Sequence, residues 1–147
     1  MEEQRILGLD VGERRIGVAL SDASGRLATA LTTIAATPHE HALAQLARLS
    51  AKHAVRAIVI GLPLTLRGEI GPQAASVQRF ATSLEQALQL PIHLVDERLT
   101  SAAAEQLLRD MGLKPEKRRQ QIDQVAAALI LQDFLDQRRE AEERSAT

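Results

Sequence analysis

No cysteine occurs in the 147 residues, which excludes disulfides, thiolate nucleophiles and zinc–thiolate sites and agrees with a reducing compartment. Tryptophan and tyrosine are also missing, and phenylalanine occurs only at Phe80 and Phe134. Proteins that hold single strands by base stacking need aromatic platforms. A nucleic acid bound by this chain is therefore expected to be held by backbone and shape. No apolar run approaches the ~18 residues of a membrane-spanning helix. The opening MEEQR sets two acids ahead of the first apolar residues, unlike a secretory leader, and a cytoplasmic protein is expected. The formal net charge of −1 removes any bulk attraction to polyanions. Only local basic clusters remain, Arg14-Arg15 and the run KPEKRR from Lys114 to Arg119.

The 45% of apolar and 25% of charged residues are ordinary for a soluble globular chain, and the length suits a single domain over 1–147 with its own core. Arg5 to Asp10, Ile16 to Leu20 and Leu27 to Ile34 read as short strands joined by tight turns, the second turn at Asp22 to Gly25. Such an order predicts an antiparallel meander. Thr37 to Glu40 (TPHE) reads as a capping box with proline in the first helical position, opening a helix to about His53 with Leu43, Leu46, Ala47 and Leu49 on its apolar side. Ala57 to Leu62 (AIVIGL) is the unbroken apolar run of a strand buried on both faces. Helices are predicted from about Gln73 to Leu90, from Ser101 to Met111 and from about Arg119 to Arg139, with a strand at Ile92 to Glu97 and a frayed tail from about 139. The whole predicts a five-stranded mixed sheet, a three-strand meander followed by parallel βα units, with helices on both faces. The ribonuclease H-like fold is the leading candidate.

One feature of the first strand is costly. In ILGLDV alternation puts Ile6, Gly8 and Asp10 on one face, so a carboxylate projects from an apolar strand, where it needs a partner, a proton or a cation. LVDER sets Asp96 and Glu97 on opposite faces, and only one of them looks toward Asp10 in a regular strand. Asp123, Ala126, Ala127, Ile130 and Phe134 fall on one helical stripe, whose alanines would let the helix lie close to the sheet. Three acids on three elements that converge would need a cation between them, and oxygen ligands suit Mg²⁺ or Mn²⁺. Two such ions activate water and stabilise the leaving oxygen of a phosphodiester. Singly, each acid has a plainer reading: Asp10 as a turn former, Asp123 as a first-turn residue favoured by the helix dipole, Glu97-Arg98 as a surface ion pair.

Taken together, GLDVGERRIGVALSD, VIGLPLTLRGEIGPQA, VDERLTSAAAE and IDQVAAALILQDFL resemble the YqgF (RuvX) family of bacterial proteins over about residues 5 to 136. The resemblance implies a ribonuclease H-like fold and a metal-dependent nuclease site. Family members are described as nucleases maturing the 5′ end of pre-16S ribosomal RNA, or as resolvases of Holliday junctions by kinship with RuvC. Carried over, the motif acids are Asp10 of LDVG, Glu97 of DER with Asp96 as its rival, and Asp123 of IDQVAAA.

The loop GLPLTLRGEIGP carries Gly61, Gly68 and Gly71, which permit close backbone approach, and leads into a helix N-terminus able to hold a phosphate. Arg67, Arg14, Arg15 and Arg98 are candidates to neutralise the backbone of a bound strand, as are Lys117 and Arg118 of the basic run. The bland alternatives are a flexible connection with an exposed arginine and a solvated loop. His39, His41, His53 and His93 do not have metal-site spacing. A metal-dependent endonuclease acting on structured precursor rRNA is the leading function, with a four-way DNA junction as the alternative substrate. A resolvase would need two sites, hence a homodimer, to cut opposing strands. A non-catalytic RNA- or ribosome-binding factor is the third reading. LDVG also resembles the first phosphate loop of the sugar-kinase and actin fold, of which a chain this short holds only half.

Overall fold

The computed structural model describes residues 5–97 and 100–146. Its elements run β1 (Ile6–Val11), β2 (Arg15–Ser21), β3 (Ala28–Ala35), α1 (His39–Lys52), β4 (Ala57–Leu62), α2 (Pro72–Leu88), β5 (Ile92–Asp96), α3 (Thr100–Asp110) and α4 (Pro115–Ala146). The five strands form one sheet in the order β3-β2-β1-β4-β5. β1–β2 and β2–β3 are antiparallel, whereas β1–β4 and β4–β5 are parallel, the mixed sheet expected from the sequence. None of the described helices is long and apolar enough to cross a membrane.

Local chemistry accounts for the meander. The Gly12 amide donates to the Arg15 carbonyl at 2.9 Å and closes the first reversal. In the second, one carboxylate oxygen of Asp22 accepts from the amides of Arg26 at 2.9 Å and Leu27 at 3.3 Å and from the Ser24 hydroxyl at 3.0 Å. These bonds, the Arg26 amide foremost, hold the Asp22 carboxyl below its ordinary range. The buried Ser21 hydroxyl accepts from the Ile6 amide at 2.8 Å, so this residue ties β1 to β2 rather than merely ending a turn.

The two faces of the sheet carry different cores. Leu7, Leu9, Ile16, Val18, Ile58 and Ile60 meet Ala42 and Leu46 of α1 and Val77, Phe80 and Leu84 of α2. Ile6, Ala19 and Val59 meet Ala127, Ile130, Leu131 and Leu135 of α4. β4 supplies both cores, which explains its unbroken apolar run. Ala104 and Leu108 of α3 are buried, and α3 packs on α4 outside the sheet.

Several boundaries differ from the sequence expectations. α1 begins at His39, and Pro38 is its N-cap with no side-chain capping bond, so TPHE is not a capping box: the Pro38 carbonyl instead accepts from the amides of His41 and Ala42, each at 3.1 Å. Ala42 and Ser50 flank Leu46 on the buried side of α1, while Ala47 faces out. α4 begins at Pro115, so the basic run is its first turns and not a loop. A proline suits that position, because its missing N–H would have no partner there anyway. α4 also continues to Ala146, past the expected fraying point, with an Arg139–Asp136 ion pair of 3.1 Å on its outer part. Its buried stripe continues through Leu131 and Leu135, and Phe134 lies at the edge, its ring 5.3 Å from that of His93.

Candidate active site

Asp10 lies opposite Gly17 in the β1–β2 register, on the face covered by α4. The neighbouring positions on that face are small. A Cβ on Gly8 would come 2.7 Å from Leu131 Cβ and 3.1 Å from the Ala127 carbonyl oxygen. One on Gly61 would meet Ile130 Cδ1 at 2.7 Å and Glu97 Cβ at 3.1 Å, and one on Gly17 would overlap the backbone carbonyl of Asp123. Three glycines on three adjacent strands thus make a flat floor on which α4 lies, and Ala126 and Ala127 keep the helix surface equally flat. The middle of α4 is pinned as well: Gln132 accepts from the Ala28 amide and donates to the Arg26 carbonyl, both at 2.9 Å. Asp123 is thereby set over β2 beside Asp10.

Glu97 arrives from the other side. Its amide donates to the Leu62 carbonyl at 3.0 Å, which extends the β4–β5 ladder by one residue. Val95 belongs to the α4-side core, whereas Ile92 packs with the α1–α2 core. By alternation Glu97 shares the face of Val95 and Asp10, and Asp96 shares the face of Ile92 and Leu94. The geometry brings Asp10, Glu97 and Asp123 together and leaves Asp96 on the opposite side. Asp123 stands eight residues inside α4, beyond the first turn, where the helix dipole no longer explains an acid.

The electrostatics record this convergence. Burial, then the charges of Glu97 and Asp123, push the Asp10 carboxyl up from 3.8 to about 7. Asp123 Oδ2 accepts a hydrogen bond from Arg15 Nε at 2.7 Å, in a pair whose side chains are 57% and 21% exposed for Arg15 and Asp123. Among the described residues no group of three or more His, Cys, Asp or Glu side chains stands in an arrangement that already holds a metal ion. The chemistry of the three side chains, rather than their spacing, suits a hard divalent cation: carboxylate oxygens from three places in the fold, no sulfur or imidazole among them, and an Asp10 that its neighbours disfavour as a bare anion.

Arg14 is exposed beside Arg15, and its carbonyl accepts from the Ala36 amide at 2.9 Å. Arg67 is exposed on a turn that is tightly built: Thr65 accepts from the Gly68 amide at 2.8 Å through its carbonyl and from the Glu69 amide at 3.0 Å through its hydroxyl. The glycine-bearing stretch is therefore an ordered turn rather than a loose connection, with Leu66 and Ile70 outward. Lys117 is exposed on the first turns of α4. Arg118 donates to the Leu113 carbonyl at 2.7 Å, so it braces the α3–α4 connection. Arg98 lies outside the described residues.

Two features escaped the sequence reading. The Arg15–Asp123 pair spans 108 positions, and no local pattern announces it. A cleft of about 510 Å³ also opens between the β1–β2 turn and the start of α2, lined by Val11, Gly12, Glu13, Gln73 and Ser76; none of the three acids lines it.

Comparison with known proteins agrees with this architecture. The RuvX family profile, described as Holliday junction resolvase, matches residues 4–137. A candidate pre-16S rRNA nuclease of Chloroflexus aggregans is 63% identical over 139 residues, which are 95% of this chain and 98% of that protein. Among solved structures, Thermus thermophilus RuvC in complex with a Holliday junction substrate superposes with a TM-score of 0.56 at 13% identity, over 92% of this chain and 95% of that one. The Holliday junction resolvase of fowlpox virus gives a TM-score of 0.53 at 11% identity, over 91% and 99%. At such identities the two structures speak for the fold alone, which is that of the RuvC-type resolvases and ribonuclease H-like. The profile and the identity of the relatives establish more: the chain belongs to the RuvX family.

Proposed function

We propose that the protein is a divalent-metal-dependent endonuclease that hydrolyses a phosphodiester bond in the 5′-end maturation of pre-16S ribosomal RNA. The observation that carries this reading is the meeting of Asp10, Glu97 and Asp123 on the glycine floor under α4. A fold gains nothing from three acids placed to repel one another on a partly buried surface. A cation site takes its protein ligands from them and leaves its other positions to water and substrate. In this reading the three carboxylates hold Mg²⁺ or Mn²⁺, two ions in the complete site, and such ions supply an activated water and charge stabilisation at the leaving oxygen.

The chain's own residues do the remaining work. α4 and the sheet fix the three carboxylates on rigid elements, so that little reorganisation is needed at the moment of reaction. Arg14, Arg15, Arg67, Lys117 and Arg118, with Arg98 beside Glu97 in sequence, offer charges to the phosphates flanking the scissile bond. The scarcity of aromatic side chains favours a duplex or otherwise structured region of the precursor over an unstacked single strand. The Chloroflexus relative's name supplies the RNA as substrate.

The second reading, a four-way DNA junction, is favoured by the description of the family itself. It requires a homodimer with two sites, whereas RNA maturation does not. Cleavage of a precursor small-subunit RNA and of a four-way DNA junction, side by side in Mg²⁺, Mn²⁺ or chelator, separates the two. Metal-dependent cutting of the RNA by wild type and its loss in Asp10→Asn are expected. Cutting of the junction alone would transfer the function to DNA. Binding of RNA without cutting, unchanged in Asp10→Asn, would make the protein a binding factor and overturn the proposal.

A further inference from the structure

Arg15 is the first residue of β2, two positions before Gly17, and strand alternation turns both toward α4 while Ile16 enters the opposite core. Its guanidinium reaches Asp123 through Nε alone, at 2.7 Å, and among the described residues its side chain makes no other hydrogen bond or ion pair. Asp123 is therefore occupied by a cationic side chain in the chain alone, while Arg15 keeps its terminal amino groups and more than half of its surface open to solvent. Its neighbour Arg14 is also exposed and equally charged, and among the described residues no side-chain bond from it to an acid is found.

We infer that Arg15 is a positioning residue that couples nucleic-acid binding to cation binding: its guanidinium stands on Asp123 in the free protein and passes to a backbone phosphate when the substrate arrives, opening Asp123 to the metal. The inference rests on the metal-site reading above. Its physical basis is competition. A guanidinium on Asp123 Oδ2 draws on the charge that would hold a cation and takes one of its two oxygens, and the positive charge of Arg15 repels an ion placed beside it. A phosphate offers the same planar donor group a second anion of the kind guanidinium prefers. An exposed, single-bond pair is weak, so the exchange is easily reversed and the coupling is modest. By linkage, substrate must then raise cation affinity by the same factor by which the cation raises substrate affinity. The arrangement would keep the site poorly loaded until a backbone lies against it.

The test uses the full chain labelled with ¹⁵N and titrated with Mn²⁺, whose paramagnetism broadens nearby amides. The amides of Gly8 and Gly17 flank Asp10 and report the ion in the site, separately from Mn²⁺ held by RNA. Wild type, Arg15→Gln, Arg14→Gln and Asp10→Asn are compared with and without a short blunt RNA duplex. Without RNA, Arg15→Gln should bind Mn²⁺ roughly two- to fivefold more tightly than Arg14→Gln, which loses the same charge but no bond to Asp123. With RNA, wild type and Arg14→Gln should tighten by a comparable factor and Arg15→Gln by clearly less. A structural defect would weaken binding, so a gain in affinity is not a folding artefact. Equal affinities of the two glutamine variants without RNA would overturn the coupling while leaving the site intact. No broadening at Gly8 or Gly17 in wild type, or undiminished broadening in Asp10→Asn, would remove the metal site and the coupling with it.

Discussion

The two faces of the sheet are built on opposite principles. Toward α1 and α2, β1 and β2 present Leu7, Leu9, Ile16 and Val18, each fully buried. Toward α4 the same two strands present Ile6, Gly8, Asp10, Gly17 and Ala19. The first face maximises buried apolar area, worth ~25 cal/mol per Å². The second gives up area at its centre for closeness, and the closeness sets Asp123 against Asp10. The mixed sheet carries helices on both faces, but only one of the two layers has to be a conventional core. The other is free to hold a cost, provided something repays it.

The largest effects should come from breaking the costly face at its acid. Asp10→Asn is expected to lower metal-dependent cleavage by at least ~100-fold, since even partners of metal ligands cost 10–100-fold; single-turnover assays on the precursor RNA check this. The same change should stabilise the metal-free fold. The Asp10 carboxyl is raised from 3.8 to about 7, so the folded state holds its proton more tightly than the unfolded chain. Wild-type stability therefore falls as pH rises from about 4 to about 7 and stays lower above that. The gap between Asp10→Asn and wild type should open across the same window, by roughly 3–4 kcal/mol as an upper bound. Urea melts at pH 4, 6 and 8 measure it.

Next comes the opposite face. Leu9→Ala should cost ~2–5 kcal/mol of stability by leaving a cavity under α1 and α2, yet leave cleavage per folded molecule near wild type at low temperature. Gly17→Ala should also cost stability, ~1–3 kcal/mol or more, and in addition lower cleavage per folded molecule, because the added methyl overlaps the Asp123 backbone carbonyl and must lift α4. Denaturant midpoints set beside cleavage rates distinguish the two: stability lost without activity on one face, stability and activity lost together on the other. The smallest effect belongs to the Asp22 turn. Its lowered carboxyl means that a slight stabilisation present at neutral pH persists down to about pH 4 and fades only as pH falls below that, so Asp22→Ala should lower the melting temperature slightly at pH 7 and make little difference at about pH 2.

Much of this contrast was readable in the sequence. Alternation in ILGLDV put Asp10 on its face, and the meander followed from short strands and the Asp22 turn. The spacing of Asp123, Ala126 and Ala127 announced a flat helix. What sequence left open was decided by packing between distant elements. Asp96 and Glu97 are equivalent in LVDER until Val95 is seen in the α4-side core. The start of α4 was missed because its first turns carry charges instead of an apolar period, and Lys117 lies there exposed. Nothing near Arg15 in the chain points to Asp123, since only the antiparallel return of β2 beneath α4 brings them together.

In this reading a bound cation offsets the cost of the α4 face, a claim that stability can test. The most direct measurement is the melting temperature of wild type and Asp10→Asn at pH 8, each with chelator and with Mn²⁺. Mn²⁺ should raise the wild-type melting temperature and leave Asp10→Asn, already the more stable without metal, unchanged. An equal rise in both proteins, or none in wild type, would contradict the claim.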